Sequence, residues 1–288
     1  MVSFLDRPNV FIWPHFKPTD ENLFMMESVD GESWSARVCT YTPNGSDGVR
    51  DPCMIRHGDK LWLVHTAVPV TSYFDLAMST DGHAFTYQRQ VDLSSIVSGA
   101  GRRVWAPHFL TPDNSGDGKY YWVVSCSNNG NGGPFQAYYA EITNLTDFST
   151  NGAWTAITGS NLPANMIDAE IVRIGSTWHM IYKDDDTNFL CIATSTTSAF
   201  AGYTVVKTGD WAGWGGGMEG PDLLPLLNGT WRCYMDNTGS GYFYSDSNTS
   251  DPLGSWGARA EITAPYTPQH GRISLFGYRR VSLNCTAA

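Results

Sequence analysis

Three carboxylates occur in short motifs that recur along the 288-residue chain, and they could carry proton-transfer chemistry. Asp51 precedes a proline, Asp168 precedes an alanine, and Glu219 precedes a Gly-Pro pair. Carboxyl groups held close together raise one another's pKa, which is how one of them can stay protonated near neutral pH. If the three converge, one could act as a general acid and another as a general base.

Two carboxyls in such a site suit the hydrolysis of glycosidic bonds. In the inverting reaction, one carboxylic acid protonates the leaving oxygen while a carboxylate about 6.5 to 9.5 Å away activates water. Asp51 could instead open an ordinary turn, and Glu219 could be a loop carboxylate behind the glycine run 215–217. Asp168 could be a turn cap, with Glu170 on the same face of a strand as the working group. The residue types alone leave these alternatives open.

Strand-like runs that each contain one tryptophan follow the motifs, and they indicate which elements position them. The runs are rich in aromatic and β-branched residues with partial period-two alternation, which favours strands. They are residues 60–66, 120–125, 176–182 and 229–235. A further element, Ser-x-Asp-Gly followed by an aromatic residue, occurs at residues 28–34 and 79–85, with a looser copy at 247–256. Its Asp-Gly pair supplies the positive-φ turn of a tight hairpin.

The motifs form a series of five when the segments 105–107 (Trp-Ala-Pro) and 269–271 (Gln-His-Gly) are added. Taken at positions 51, 106, 168, 219 and 270, they recur every 51 to 62 residues. Five copies, each long enough for one sheet of short strands, predict an all-β fold: a single five-bladed β-propeller over residues 1–288. One copy is split between residues 22–27 and 273–278, so we expect N- and C-terminal strands to pair in one blade and close the ring. A β-sandwich with coincidental spacing is the alternative.

The propeller prediction also says where the motifs meet. The innermost strand of each blade begins near the central channel, so the five motifs should converge on one axial pocket. Side chains near them are candidates for binding a sugar, since aromatic rings stack on its C–H faces. The candidates are Trp13, Arg50, Trp105, His108, Trp214 and His270. Trp13 and Trp214 could equally be ordinary core residues. His270 could be a buried histidine whose hydrogen bonds are all made within the core.

Composition and charge exclude several classes of protein. The chain has 11 Trp, 14 Tyr, 13 Phe and 29 Gly but only 16% charged residues, which excludes disorder and a coiled coil. Its 28 acidic and 18 basic side chains give a net charge of −10, so we expect no nucleic-acid partner. No apolar run approaches the ~20 residues of a membrane span, so we expect no membrane partner either.

The cysteines and the first residues bear on the compartment. The six cysteines (Cys39, Cys53, Cys126, Cys191, Cys233 and Cys285) lack the spacing of a zinc site, and one or two disulfides remain open. The first residues lack the basic start and apolar core of a signal peptide, so the protein is either cytoplasmic or secreted with its signal removed. Five Asn-x-Ser/Thr sequons favour an extracellular, secreted protein, although chance produces several in such a chain.

In order and spacing, these segments resemble glycoside hydrolase family 43 over essentially the whole chain. The matching segments are residues 50–56 with 60–64, 104–109, 166–173 with 178–183, 218–224 with 231–236, and 269–273. The Asp30-Gly31 element before the first motif is similar to the arabinofuranosidase-like branch of the family. The resemblance implies a five-bladed propeller and inverting hydrolysis.

Carried over residue by residue, the resemblance implies that Asp51 is the general base and Glu219 the general acid. Asp168 resembles the third carboxylate, which modulates the acid's pKa and orients it. His270 matches a histidine of the fifth blade that in some members helps to hold a metal ion or water. The sequence departs from the family at His108, where an acidic residue is common.

From this resemblance we expect an inverting glycosidase acting on plant or microbial polysaccharides, with exo-acting α-L-arabinofuranosidase first. The alternatives are β-xylosidase and exo-galactanase or galactofuranosidase activity on the same triad, or, in another class, a carbohydrate-binding propeller without catalysis. The expected partner is an arabinan, arabinoxylan or galactan type of carbohydrate, bound by a monomer. No cofactor is required, although a structural divalent cation could lie near His270. Gln269, which stands where an arginine often precedes that histidine, weakens the case for a cation.

Overall fold

Short, mostly antiparallel strands make up nearly all of the regular secondary structure in the computed structural model, which describes residues 10–276 except 69–70, 131–132 and 238–239. The N-terminal strands are β1 (Val10–Lys17), β2 (Asp20–Ser28) and β3 (Ser35–Arg37). The next four, which we call blade I, are β4 (Val49–His57), β5 (Lys60–Ala67), β6 (Tyr73–Ser79) and β7 (Thr86–Asp92). Blade II comprises β8 (Arg103–Leu110), β9 (Tyr121–Ser127), β10 (Gln136–Asn144), β11 (Ser149–Thr150) and β12 (Thr155–Ala156), with the short helix α1 (Pro112–Ser115) between β8 and β9.

The remaining strands follow the same plan. Blade III comprises β13 (Gly159–Ser160), β14 (Met166–Ile174), β15 (Thr177–Asp184), β16 (Phe189–Ser195) and β17 (Tyr203–Lys207). Blade IV comprises β18 (Glu219–Pro225), β19 (Trp231–Asp236), β20 (Tyr242–Asp246) and β21 (Ala260–Glu261). The last described strand is β22 (Ser274–Phe276), which joins β1, β2 and β3 in blade V. The predicted five-bladed β-propeller is therefore confirmed.

The ring closes as predicted, through pairing of strands from the two ends of the chain. β22 pairs antiparallel with β1, with Phe11 opposite Leu275 and Ile12 opposite Ser274. The two predicted segments lie in this one blade, but β1 separates them, because residues 22–27 belong to β2. The sequence pattern missed β1 because Pro14 and His15 interrupt its apolar run, and a proline argues against a central strand. Residues 277–278 of the predicted segment lie outside the described residues.

Period-two alternation explains why the blades stack into a ring. On β5, Leu61 and Leu63 pack against blade V, whereas Trp62 and Val64 face the opposite way and pack against blade II. One apolar cluster of this kind fills each of the five interfaces between neighbouring blades. Each strand thus contributes to two cores, which is why the second strand of a blade is buried over most of its length.

The Ser-x-Asp-Gly elements form the turns that the sequence predicts. Gly31 and Gly82 have φ of 74° and 72°, at turns that follow the third strands of their blades. The serine hydroxyl accepts the glycine N–H at 2.8 Å in one turn and 2.9 Å in the other. These local hydrogen bonds stabilise a short turn, so the chain passes from one strand to the next without a longer loop.

Two further observations concern compartment and stability. No described helix is long or apolar enough to cross a membrane.

Five of the cysteines are free thiols in the structure, namely Cys39, Cys53, Cys126, Cys191 and Cys233, and Cys285 lies outside the described residues. Packing between blades therefore stabilises the described part of the fold without a disulfide.

Candidate active site

A bulge near the start of four innermost strands shapes the site. On β4, β8, β14 and β18 the register with the following strand shifts at the motif. The residue at each bend has positive φ: 49° at Asp51, 49° at Ala106, 56° at Asp168 and 56° at Gly220. Positive φ is costly for residues other than glycine and is typical of functional sites, so this recurring bend is a built feature.

The bulges also show how the motifs correspond. Asp51 and Asp168 occupy the bend itself, whereas Glu219 stands one residue earlier, where the other blades have Arg50 and Trp105. Glu219 is therefore out of phase with the two aspartates by one residue. Because side chains alternate along a strand, that offset lets the glutamate approach the cavity from a different direction.

The motifs converge on one cavity of about 380 Å³, as the propeller prediction requires. This volume lies within the range of about 300 to 1,000 Å³ that is common for small-ligand pockets. Its lining residues are Phe16, Pro18, Arg50, Asp51, Trp105, Ile167, Asp168, Glu219, Asp236, Gln269 and His270. All three predicted catalytic carboxylates are among them.

Asp51 is held by hydrogen bonds that favour its ionised form. His270 Nδ1 lies 3.2 Å from Asp51 Oδ1, and the Thr66 hydroxyl donates to Oδ2 at 2.7 Å. Burial alone would raise the pKa of Asp51, but the hydrogen bond and charge of His270, together with Thr66 and Arg50, lower it overall. Asp51 is therefore a carboxylate over the pH range in which a general base must work.

His270 is a cation within the site. Burial alone would lower its pKa, but the charge of Asp168 and the hydrogen bond and charge of Asp51 raise it to about 9. Its ring also lies against Gly220, where a Cβ atom would meet the ring at 2.3 Å. His270 thus neutralises part of the acidic cluster and ties blade V to blades I and IV.

Asp168 lies deeper than Asp51 and has the opposite protonation preference. Burial raises its pKa to about 6, the charge of His270 opposes that rise, and the charges of Glu219 and Asp51 add to it. Its Oδ2 accepts the backbone N–H of Gly220 at 3.0 Å. Asp168 therefore contacts the residue next to Glu219 and positions that segment.

Glu219 is paired with a lysine that the sequence reasoning did not assign. Lys183 Nζ lies 3.1 Å from Glu219 Oε2 and 3.1 Å from Asp185 Oδ1, and its side chain is 8% exposed. Burial alone would lower the pKa of Lys183, but the charge and hydrogen bond of Glu219 raise it overall. Lys183 is therefore an ammonium ion paired with the carboxyl group of Glu219.

Asp236 is a fourth carboxyl at the cavity, also without a predicted role. It lies opposite Glu219 in the β18–β19 pair and accepts the backbone N–H of His270 at 2.9 Å through Oδ2. Burial raises its pKa to about 7, and the charge of Glu219 adds to the rise. Lys183 and Asp236 both end a tryptophan-bearing strand, so a polar residue at that repeated position was the sequence signal for them.

The predicted sugar-binding residues divide into two groups. Trp105, Arg50 and His270 line the cavity. Trp105 stacks on Phe135 with ring centroids 4.3 Å apart, which holds its indole ring in place at the cavity wall. The Arg50 side chain is 48% exposed and forms an ion pair with Glu21.

Trp13, Trp214 and His108 are not among the residues that line the cavity, so the structure does not bring them together with the carboxylates. Trp13 is 0% exposed, and its indole N–H donates to Gly271 O at 2.9 Å. Trp214 packs among other tryptophans in the core between blades III and IV. His108 is buried beyond the bulge on β8, where burial and the charge of Arg272 lower its pKa.

Glu170, the alternative to Asp168, belongs to the wall between blades. Its Oε2 accepts the N–H of Leu223 at 2.5 Å, and its Oε1 lies 3.3 Å from Arg272. Asp222 accepts the N–H of Ile273 in the same way one blade further on. These carboxylates join adjacent innermost strands below the cavity, which leaves Asp168 as the one of the two that faces it.

A structural cation near His270 stays a prediction. Among the described residues, no three His, Cys, Asp or Glu side chains are arranged to hold a metal ion. His270 Nδ1 lies 3.2 Å from Asp51 Oδ1, so the carboxylate already occupies this ring nitrogen. No step below depends on a metal ion.

A five-bladed β-propeller that gathers carboxylates at its axis defines a class of glycosidases. Within it, the chain belongs to the family related to glycoside hydrolase family 43 that is described as a probable glycosyl hydrolase domain, which it matches over residues 9–276. No curated protein matches the chain.

Solved structures of family 43 enzymes share the fold at low sequence identity. A β-1,3-galactosidase of the family, bound to galactodeoxynojirimycin, is 14% identical with a TM-score of 0.63, covering 88% of this chain and 92% of its own. A xylan β-1,4-xylosidase from Bacillus halodurans is 14% identical with a TM-score of 0.62, covering 94% and 60%. An α-L-arabinofuranosidase from Lactobacillus brevis is 16% identical with a TM-score of 0.51, covering 76% and 73%. At these identities the likeness establishes the fold alone.

Proposed function

We propose that the protein is an inverting, exo-acting glycoside hydrolase that removes terminal or side-chain sugars from plant or microbial polysaccharides, with α-L-arabinofuranosides as its first substrates. One observation carries the proposal: Asp51, Asp168 and Glu219, from three different blades, line one small cavity, in which the pKa of Asp51 is lowered and that of Asp168 is raised. Such a cavity can give neighbouring carboxyl groups the different environments that a general base and a general acid need.

Asp51 acts as the base in this proposal. The His270 and Thr66 hydrogen bonds keep it ionised, and its side chain is 16% exposed, so a water molecule in the cavity can reach it. As that water attacks the anomeric carbon, its proton passes to Asp51. The positive charge that develops on the sugar ring is stabilised by the surrounding carboxylates.

Glu219 acts as the acid, and Lys183 assists the transfer. Glu219 is 22% exposed and can reach a leaving oxygen at the cavity mouth. After the proton has left, the carboxylate is stabilised by the ammonium group 3.1 Å away. Asp168 fixes the segment through the Gly220 N–H, so the acid stays aligned with the leaving group.

Two further arguments support the substrate class. A cavity of about 380 Å³ at the end of the central channel favours a single terminal sugar over a long chain. The resemblance of the Asp30-Gly31 element to the arabinofuranosidase-like branch makes arabinofuranosides the first candidates, and xylosides and galactosides are the alternatives. Extracellular action, by a monomer on arabinan, arabinoxylan or galactan, is part of the same proposal.

The test compares Glu219→Gln and Asp51→Asn with wild type on para-nitrophenyl glycosides and on oligosaccharides of α-L-arabinofuranose, β-D-xylose and β-D-galactose. Loss of general acid or base catalysis lowers kcat by about 100- to 10,000-fold. We expect Glu219→Gln to lose more activity on the oligosaccharide than on the nitrophenyl glycoside, because a nitrophenolate leaving group needs little protonation. Asp51→Asn should lose activity on both substrates. Glu261→Gln, the same change on the exposed strand β21, is the matched control.

NMR of the first-formed anomer completes the experiment. Inversion of configuration supports Asp51 as the base, whereas retention would overturn that role. Wild type that binds these sugars but hydrolyses none would instead be a carbohydrate-binding propeller.

A further inference from the structure

Asp236 occupies a position whose structural role is visible in the other blades. The residues directly opposite the motifs on the second strands include Thr66 in blade I and Ser125 in blade II. The Thr66 hydroxyl accepts the N–H of Ala106 at 2.8 Å, and the Ser125 hydroxyl accepts the N–H of Asp168 at 3.1 Å. In blade IV, Asp236 Oδ2 accepts the N–H of His270 at 2.9 Å. Each of these bonds ties one blade to the bend of the next.

A hydroxyl group is sufficient to accept that hydrogen bond. The fold therefore does not require a carboxyl group at position 236. Asp236 lines the cavity, and its second oxygen, Oδ1, is buried and has no hydrogen-bond partner in the part of the chain that the structure describes. Such an unpaired buried oxygen is costly. The residue is 1% exposed, so water from bulk solvent does not reach it freely. The wall of the cavity thus contains a carboxyl group with one unsatisfied oxygen.

The surrounding charges determine the form of this carboxyl. Glu219 on β18 and Asp168 on β14 both disfavour its ionisation, whereas His270 of blade V favours it. Burial is the largest influence and also disfavours the charge, which brings the pKa to about 7. In mildly acidic solution Asp236 is therefore a neutral acid, able to donate a hydrogen bond.

We propose that Asp236 is a sugar-binding residue that carries a proton on Oδ1 and donates it in a hydrogen bond to a hydroxyl of the bound sugar, which makes it a determinant of specificity. Oδ2 stays occupied by the His270 N–H, so the donor atom is fixed in direction. A sugar that has no hydroxyl opposite Oδ1 leaves this buried polar group unpaired. Sites built to hydrogen-bond a substrate hydroxyl strongly reject an analogue that lacks it. This inference rests on the proposed carbohydrate-active function of the same cavity.

The experiment uses Asp236→Asn and Asp236→Ser. Asparagine keeps an acceptor for the His270 N–H and places an amide donor where Oδ1 stood. Serine, which copies Ser125, keeps only the acceptor. Calorimetry at pH 6 measures binding of L-arabinose, D-xylose and D-galactose, and kinetics measure KM and kcat for the matching glycosides. We expect Asp236→Ser to weaken binding and raise KM about tenfold or more for the preferred sugar, with Asp236→Asn within about threefold of wild type.

The pH dependence of sugar affinity is a second measurement, and a purely structural role of Asp236 would leave it unchanged. Wild-type affinity should fall as the pH rises through about 7, where Asp236 loses its proton, and the affinity of Asp236→Asn should stay constant there. Equal binding by Asp236→Ser and wild type would overturn the proposal, as would an asparagine variant as weak as the serine variant. Failure of wild type to bind any of the three sugars would also overturn it.

These outcomes separate the inference from the proposed function. Hydrolysis by wild type with an unaffected Asp236→Ser variant removes Asp236 from the site and leaves the hydrolase proposal standing. If sugar binding depends on Asp236 but wild type hydrolyses no glycoside, Asp236 stays a sugar-binding residue and the hydrolase proposal fails.

Discussion

Asp51 and Asp168 occupy the same kind of bend, yet their neighbours give them opposite protonation preferences. Asp51 receives two side-chain hydrogen bonds and has a lowered pKa, whereas Asp168 receives a backbone N–H and has a pKa of about 6. The backbone geometry is nearly the same, with φ of 49° and 56°. Donors and burial, rather than residue type, therefore assign the roles within this acidic cluster.

Lys183 gives a prediction at the residue scale. Replacing it with methionine removes the ammonium group 3.1 Å from Glu219 Oε2, which holds that carboxyl group in place at the cavity. A displaced proton donor transfers its proton less efficiently, so kcat/KM should fall by roughly tenfold or more. Steady-state kinetics of wild type and Lys183→Met measure the loss.

Two variants serve as controls for that prediction. Lys183→Arg keeps the charge and should keep kcat/KM close to its wild-type value. Lys119→Met breaks a similar pair, with Glu141 at 2.8 Å, but on the exposed surface of blade II. It should leave kcat/KM unchanged. An unchanged kcat/KM in Lys183→Met would show that the pair with Lys183 is not needed to position Glu219.

At the scale of elements, the repeated bulge explains why Gly220 differs from its counterparts. Asp51, Ala106 and Asp168 all adopt positive φ with a side chain present, so the bend itself does not require glycine. At Gly220 a Cβ atom would meet the His270 ring at 2.3 Å. The close approach of blade IV to this histidine is therefore what requires glycine there.

Gly220→Ala should thus be more damaging than a positive-φ substitution elsewhere. Gly175→Ala is the matched control, because Gly175 has φ of +60° and nothing lies within 4 Å of the added atom. The control should lose about 1 to 2 kcal/mol of unfolding free energy. Gly220→Ala should lose more and also lose activity, because displacing His270 breaks its bond to Asp51. Urea unfolding followed by tryptophan fluorescence, with kinetics in parallel, checks both; equal losses would contradict the steric argument.

At the scale of the whole molecule, His270 joins three blades at the point where the ring closes. Its backbone N–H binds Asp236 of blade IV, its ring contacts Asp51 of blade I, and it precedes β22 of blade V. The same histidine therefore couples the protonation of the site to the stability of the propeller.

This coupling predicts how stability depends on pH. The pKa of His270 is raised from its ordinary value of 6.5 to about 9, so the folded protein holds a proton that the unfolded chain releases between these values. Its contribution, on the order of 3 kcal/mol, is fully present below pH 6.5 and is lost as the pH rises through about 9. Unfolding free energies at pH 6 and pH 9 should differ more for wild type than for His270→Gln. Equal differences in the two proteins would contradict this role.

Several features of the molecule follow from the sequence by itself. The five motifs, the alternating tryptophan strands and the Asp-Gly turns determine the propeller, because period-two alternation with two apolar faces can be buried only between neighbouring sheets. The same repeat brings Asp51, Asp168 and Glu219 to one end of the channel. These features depend on local pattern and on chain order, both of which a sequence displays.

Only the tertiary structure decided which side chains face the cavity and what they contact. Trp13 and Trp105 are both tryptophans that we predict from the sequence to contact sugar, yet one is fully buried and the other lines the cavity. Lys183 meets Glu219, and Asp236 meets His270, across interfaces between blades. Such contacts depend on how adjacent sheets twist and pack in the closed ring, and burial in that ring sets the pKa values. Spacing along the chain does not contain that information.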